Sequence, residues 1–292
     1  MDAIFVACRF AHFSAAMLLF GISVFDGALV PDGLRPRLAG LGGRVSAGLV
    51  GVLVLTGLAW FGLEAGEAGD GWSDVVNPGV WDGLATGTAF GAAWMWHLAI
   101  LAILIVAVLL RGPTRRGLLI AGSAAVLASL GFVGHAAMQD GALGWAHRLN
   151  HALHLISAGF WVGSLVPLLA CLLALRQAAS RDDAAIALAR FSGFGHVAVA
   201  VVLVTGIVNT ALTLGRAPLD PASPYQLLLA IKIGLVALMV GIAVANRYVF
   251  TPQLPSGAPR ASRGLVLGTV AELAIGVVVI GLVSAFATFD PV

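Results

Sequence analysis

The sequence predicts an all-α polytopic membrane protein with eight transmembrane helices. Of its 292 residues, 60% are hydrophobic and only 10% are charged, and the mean hydropathy is +0.99. Soluble domains carry roughly 25% charged residues, so no soluble core could absorb this much apolar surface. Apolar runs recur along the chain at roughly 20 residues or more, the length that a helix needs to cross the hydrocarbon core.

Eight such runs can be distinguished. A lipid environment offers the backbone no hydrogen-bond partners, so runs of this length are expected to be helices. Together they form a single integral membrane domain, 1–292. We expect the helices at about 3–30, 44–63, 89–110, 117–137, 147–175, 191–214, 225–246 and 264–289.

The positive charges predict how the helices are oriented. Twelve of the sixteen Lys and Arg residues lie in the loops that join helices 1–2, 3–4, 5–6 and 7–8, whereas the opposite loops carry only Arg148 and Arg216. Loops rich in Lys and Arg stay on the cytoplasmic side. We therefore expect a protein of the bacterial inner membrane with both termini on the periplasmic side.

The histidines are distributed unevenly, and six of the seven fall on the predicted outer side. His147, His151 and His154 are spaced by four and then three residues, which puts their imidazoles within an arc of about 60° on one helix face. A single histidine at a helix end is more often hydrogen-bonded than a ligand, but a group inside a membrane indicates a metal or haem site. The candidates are His12, His97, His135, His147, His151 and His154.

Softer donors accompany these imidazoles. Cys8 precedes His12 by four residues, and Met138 follows His135 by three. Imidazole, thiolate and thioether together suit copper, particularly Cu(I), although Cys8 can equally be a packing residue. Copper takes about two to four ligands of this kind, so not all candidates share one ion. Among the candidates, we expect His151, His154 and His135 before the others to bind copper.

A b-type haem cytochrome is the alternative interpretation. Two histidines from different helices would then ligate haem near the outer surface. A transmembrane electron path would need a second pair on the inner side, where only His196 lies. Copper is therefore favoured over haem. A third, weaker hypothesis is a non-metal transporter or a sensor whose histidines carry protons.

Isolated polar residues within the helices are candidates for a transport path. Lys232 and Glu272 each lie about 10 Å inside a predicted helix, at 1.5 Å per residue. Such charges either pair with each other or line a polar path. The candidates for the path are Lys232, Glu272, Trp161 and Asn209. The acidic loop 64–88 could gather cations or dock a carrier, but an ordinary outer loop explains it as well.

An internal repeat is weakly visible. Arg9-Phe-Ala-His12 is followed nine residues after the histidine by Gly21, as His151-Ala-Leu-His154 is by Gly163. Leu55-Thr56-Gly57 similarly resembles Val204-Thr205-Gly206. These matches predict two parallel pseudo-repeats, at about 1–140 and 141–292.

The ordered set of motifs resembles the copper resistance protein D (CopD) family of bacterial inner-membrane proteins. The resemblance spans nearly the whole chain, and it rests on Arg9-Phe-Ala-His12, Trp94-Met-Trp-His97, Gly134-His135, His147 to His154 with Gly159-Phe-Trp161-Val-Gly163, Thr205-Gly-Ile-Val-Asn209, Leu229-Ala-Ile-Lys232, and Asn246-Arg247 followed by Thr251-Pro252.

That resemblance implies copper movement from the periplasm towards the cytoplasm, often beside a small periplasmic copper carrier of the CopC type. Membrane lipid is the other expected partner, and we expect neither a nucleic-acid partner nor an enzymatic activity. One residue departs from the family pattern, since this chain has His151 where we expect Asp.

Overall fold

The computed structural model describes residues 1–175, 177–215, 220, 222–254, 259–286 and 289. Within these residues, eight helices are long and apolar enough to cross a membrane, which confirms the predicted fold class. They are Asp2–Leu29 (α1), Arg35–Ala68 (α2), Ala89–Leu109 (α3), Gly112–Phe132 (α4), Gly141–Ala174 (α5), Arg181–Leu214 (α6), Pro224–Gln253 (α7) and Arg260–Phe286 (α8).

The observed helix ends differ from the predicted ones where hydropathy gives no signal. Helix α6 begins ten residues before the apolar run, because its first turns are polar and hydropathy detects only the apolar part. Helix α4 ends at Phe132 rather than near residue 137. Gly134 follows with a φ of 69°, a left-handed conformation that glycine adopts easily. His135 therefore lies in the short turn Gly134–Ala137 and not in α4.

The helices form two groups of four that meet along α1 and α5. In the first group, α1, α2, α3 and α4 contact one another in a closed ring. In the second group, α5 contacts α6 and α8, and α8 contacts α7, but α6 and α7 make little contact along their described residues. A cleft therefore opens in the second group. These groups occupy the two predicted pseudo-repeats, and the repeat itself stays a prediction.

Helices α1 and α5 touch through their backbones at the centre of the protein. A Cβ atom on Gly163 would lie 1.9 Å from the backbone oxygen of Met17, and one on Gly21 would lie 2.1 Å from the backbone carbon of Gly163. Small residues permit this close approach in membranes, where packing rather than the hydrophobic effect holds helices together. The two glycines thus determine how closely the two groups dock.

We predict that Gly163→Ala destabilises the protein by about 1–3 kcal/mol, because the added methyl group overpacks the contact between α1 and α5. Gly51→Ala on α2 is the matched control, since a Cβ atom at Gly51 meets nothing within 4 Å. That control should be neutral or stabilising by up to about 1 kcal/mol. Thermal unfolding in detergent measures both, and equal melting temperatures would contradict the proposed tight contact.

Candidate metal site

His12 of α1 and His97 of α3 meet inside the first helix group. Their ring centroids are 5.0 Å apart, with an angle of 44° between the ring planes. The side chains are enclosed by protein, since His12 is 0% and His97 is 1% exposed. Both residues are candidates from the sequence analysis, on separate helices, and the closed ring of helices brings them together. We call these two residues the histidine dyad.

A hydroxyl group fixes the tautomer of His12. Nδ1 of His12 lies 2.8 Å from Oγ1 of Thr56 on α2. The Thr56 hydroxyl donates its only proton to the carbonyl oxygen of Val52 at 2.7 Å. It must therefore accept from His12, which places the imidazole proton on Nδ1. In the neutral ring, Nε2 then carries an unprotonated lone pair.

The second ring of the dyad is held in the same way. Nδ1 of His97 lies 2.8 Å from Oγ of Ser129 on α4, and that hydroxyl donates to the carbonyl oxygen of Val126. His97 therefore also donates from Nδ1 and keeps its lone pair on Nε2. Metal-ligating histidines are commonly oriented by such a hydrogen bond at the other ring nitrogen. All four helices of the first group contribute to the dyad.

The Nε2 atoms of both rings are buried and lack a hydrogen-bond partner among the described residues. A buried polar atom without a partner is uncommon, because its desolvation is not compensated. Two such lone pairs on neighbouring rings make the dyad a candidate metal site. The sequence contains no signal for Ser129, whereas Thr56 was visible only as part of the weak repeat.

Tryptophan side chains enclose the dyad. The Trp94 ring stacks on the His97 ring, with ring centroids 4.5 Å apart. The Trp60 and His12 rings meet edge to face, with ring centroids 5.7 Å apart. The indole of Trp94 donates to the carbonyl oxygen of Gly57 at 3.0 Å, which fixes its position. Aromatic faces attract cations and exclude water. The dyad therefore lies in an aromatic environment.

The second helix group contains a similar imidazole and hydroxyl pair. Nδ1 of His154 lies 2.9 Å from Oγ1 of Thr205, whose hydroxyl donates to the carbonyl oxygen of Val201. Nε2 of His154 therefore also keeps its lone pair. No second imidazole from α7 accompanies it; instead, Lys232 of α7 lines the same two cavities as His154.

The other two members of the predicted histidine stack are bonded differently. His147 donates from Nδ1 to the side-chain oxygen of Gln139 at 2.6 Å. His151 accepts at Nδ1 from the side-chain amide of Asn209 at 3.2 Å, and its ring stacks on that of His154 with centroids 6.4 Å apart. Among the described side chains, no three His, Cys, Asp or Glu residues converge on one point.

The remaining candidates lie outside the dyad. The Sγ atom of Cys8 donates to the carbonyl oxygen of Thr56 at 3.3 Å, beside His12 but engaged with the backbone. Met138 is 54% exposed on the protein surface. The side chain of His135 lies outside the described residues, so its part in the predicted group with His151 and His154 stays a prediction.

The acidic loop between α2 and α3 uses one of its carboxylates to hold its own fold. Asp74 accepts hydrogen bonds from the backbone N–H of Asp70 and from the side-chain amide of Asn77. These bonds, the backbone bond first, lower the pKa of Asp74. Its carboxylate therefore shapes the loop.

Three cavities follow one another along the bundle. The histidine-end cavity, of about 320 Å³, is lined by Trp60, His151, His154, Asn209 and Lys232, among others. The central cavity, of about 650 Å³, shares His154 and Lys232 with it and extends to Trp161. The arginine-end cavity, of about 340 Å³, begins at Trp161 and contains Glu272, His196 and Arg247. All four predicted path residues therefore line cavities.

Lys232 and Glu272 were expected either to pair with each other or to line a polar path. They do not form an ion pair. Glu272 instead accepts hydrogen bonds from Trp161 at 3.2 Å and from Asn246 at 2.9 Å. The ammonium group of Lys232 lies 5.9 Å from the centroid of the Phe286 ring. The two charges line different cavities.

The dyad does not fit the haem alternative. Haem ligated by two histidines places them on opposite faces of a flat macrocycle. Rings with centroids 5.0 Å apart leave no room for that macrocycle. His151 and His154 also fail as such a pair, because they lie one turn apart on a single helix. Pairs that include His135 lie outside the described residues.

The sequence matches two protein-family descriptions. Residues 1–145 match "Copper resistance protein D-like, N-terminal domain", and residues 185–286 match "Copper resistance protein D". No solved structure matches the chain.

Three relatives are similar over nearly all of the chain. The inner membrane protein YebZ of Escherichia coli is 36% identical over 98% of both chains. Copper resistance protein D of Pseudomonas syringae pv. tomato is 30% identical over 99% of this chain and 97% of its own. The copper transport protein CutJ of Bacillus subtilis is 26% identical over 93% of this chain and 50% of its own.

We predict that Ser129→Ala lowers the free energy of unfolding by about 1–3 kcal/mol, since it leaves Nδ1–H of His97 buried without an acceptor. Ser123→Ala is the matched control on the same helix, because the Ser123 hydroxyl only donates to backbone carbonyls of its own helix. Thermal unfolding should separate the two variants. Equal losses would show that the bond to His97 does not hold the ring.

Proposed function

Because the chain belongs to the copper resistance protein D family, we propose that it binds Cu(I) between the Nε2 atoms of His12 and His97 and carries copper across the inner membrane. The protein is a multi-pass inner-membrane protein, and its family connects it with copper. One observation carries the site: two buried imidazoles, each held at Nδ1 by a hydroxyl, lie side by side with unpartnered Nε2 atoms.

The chemistry of the dyad supports Cu(I). Imidazole is a good copper ligand, and among the described residues no carboxylate joins the two imidazoles to form the oxygen-rich site that harder cations prefer. Two nitrogen ligands are at the low end of the coordination numbers that copper accepts. The Trp60 and Trp94 rings beside the dyad further favour a cation of low charge.

The dyad is a better copper site than the group around His154, which the sequence favoured. His154 also offers Nε2, but the ammonium group of Lys232 lines the same cavities and opposes a bound cation. His151 accepts a hydrogen bond from Asn209 at Nδ1. We therefore assign His154 to passage of the ion and the dyad to its binding.

A route for the ion follows from the cavities. Trp60 contacts His12 and also lines the histidine-end cavity, so it is the wall between the dyad and that cavity. From there, His154 leads into the central cavity, and Trp161 separates the central from the arginine-end cavity. Lys232, Asn209 and Glu272 lie along this route, together with other charged side chains such as Arg9, Glu64 and Arg247.

The orientation of the histidine end is inferred from the charges in the loops. The arginine-rich loops favour the cytoplasmic side, so both termini and the histidine end would face the periplasm. The family resemblance implies that copper then moves from the periplasm towards the cytoplasm. A small periplasmic copper carrier of the CopC type is the expected donor, and the acidic loop between α2 and α3 would be its docking surface.

We predict that the purified protein binds one Cu(I) per chain, and that His12→Gln and His97→Gln each weaken binding by at least about tenfold, since one of two ligands is lost. Competition with a chromophoric Cu(I) chelator measures the affinity, and copper should also quench fluorescence from Trp60 and Trp94. His196→Gln is the control, because His196 lies in the arginine-end cavity. Unchanged affinity in both dyad variants would refute the site, and a Soret band would revive the haem alternative.

We also predict that His154→Gln reduces copper accumulation by cells while the purified variant still binds one Cu(I). The reason is that His154 lies between the first two cavities and outside the dyad. Metal content of cells expressing the wild type, His154→Gln and His12→Gln measures accumulation. If the purified His154→Gln variant does not bind Cu(I), the copper site lies in the second helix group and not at the dyad.

A further inference from the structure

Glu272 is a buried carboxylate within α8, and it is 3% exposed. Its Oε1 accepts from the indole N–H of Trp161, and its Oε2 accepts from the side-chain amide of Asn246. No Lys, Arg or His lies within ion-pair distance of it among the described residues. An unpaired charge inside a membrane is costly, so residues of this kind are usually functional.

Glu272 lies at the boundary between two cavities. Its partner Trp161 lines both the central and the arginine-end cavity, whereas Glu272 itself lines only the latter. The Trp161 indole therefore forms the wall between them and is held there by the carboxylate. Asn246, the second partner, begins the π-helical segment Asn246–Phe250, an irregularity that is frequent at functional sites.

The other titratable groups around Glu272 can be named from the cavity lining. Helix α6 contributes His196, and α7 contributes Arg247 and Tyr248. Nε2 of His196 lies 3.2 Å from the hydroxyl oxygen of Tyr248, so this pair connects α6 to α7 beside the cleft. Helix α5 contributes Trp161 and apolar side chains, and α1 contributes no lining residue. Glu272 is the one carboxylate among the described residues that line this cavity.

We propose that Glu272 is a proton-binding site and that the protein exchanges a proton on this carboxylate for each Cu(I) that passes Trp161. This proposal rests on the proposed copper transport. A carboxylate oxygen is a hard donor that holds Cu(I) weakly, so Glu272 supplies charge and is not a strong ligand. Its carboxylate neutralises whichever single positive charge is present, either a proton or Cu(I).

The exchange balances in charge and atoms. With no copper nearby, Glu272 is the neutral carboxylic acid. When Cu(I) arrives from the central cavity, the acid releases its proton past Trp161 to water in that cavity, and the carboxylate faces the ion. After the ion has left through the arginine-end cavity, water in the arginine-end cavity returns a proton, so one proton moves out for each Cu(I) that moves in. The dyad adds no proton to this count, because the Nε2 atoms of His12 and His97 already carry lone pairs.

The test uses the full-length protein in liposomes that contain a pH-sensitive dye, with the membrane potential held at zero by K⁺ and valinomycin. Cu(I) added outside should enter wild-type vesicles and make the interior more alkaline. Glu272→Gln should lose the copper-linked pH change and retain Cu(I) binding at the dyad. Asp182→Asn, an exposed carboxylate at the start of α6, is the matched control and should behave as the wild type.

A second measurement does not depend on transport. Infrared difference spectra between two pH values, repeated in D₂O, should show the C=O stretch of a protonated carboxyl group that disappears in Glu272→Gln. Trp161→Phe should shift this band, because one hydrogen bond to the carboxyl group is lost while the ring is kept.

The two proposals fail in different ways. If wild-type vesicles take up no copper, the proposed transport is wrong, and the infrared band alone decides whether Glu272 binds a proton. If they take up copper without a change in internal pH, or if Glu272→Gln exchanges protons like the wild type, the proton exchange is wrong.

Discussion

The backbone contact between Gly21 and Gly163 is the constraint on which the rest of this structure depends. It fixes α1 against α5, and each glycine follows a histidine by nine residues, which places His12 and His154 at matching distances from the crossing. Each of these imidazoles then bonds a threonine hydroxyl on the next helix of its own group. A larger side chain at the crossing would separate the groups and change both sites together.

The two helix groups use the same imidazole and hydroxyl unit in different surroundings. In the first group, the ring of helices is closed and His97 completes a buried dyad. In the second, α6 and α7 leave a cleft, and Lys232 is the charged residue beside His154. A closed, aromatic site favours holding a cation, whereas an open site with a positive charge favours releasing it. The proposed division between binding and passage follows from that difference.

Hydrogen bonds from buried hydroxyl groups determine the protonation of the imidazoles in this bundle. Hydroxyl protons go to backbone carbonyls, which forces three imidazoles to donate from Nδ1 and leaves Nε2 free of a proton. Glu272 takes two N–H donors and no cation. In the proposed mechanism, these local hydrogen bonds decide which atoms are available to copper and which to a proton.

Composition and hydropathy by themselves determined the fold class and the eight helices, because the cost of burying polar backbone in lipid is read directly from long apolar runs. The order of the short motifs along the chain carried the family resemblance. They also determined the candidate histidines, but not their grouping. Helical spacing favoured His151 and His154, which are neighbours on one helix, whereas His12 and His97 are 85 residues apart and meet only through the closed ring of α1 to α4. The hydroxyl of Ser129 and the cleft between α6 and α7 likewise depend on how helices pack. Only tertiary structure could decide these points, because contacts between helices in a membrane are set by side-chain shape and not by hydropathy.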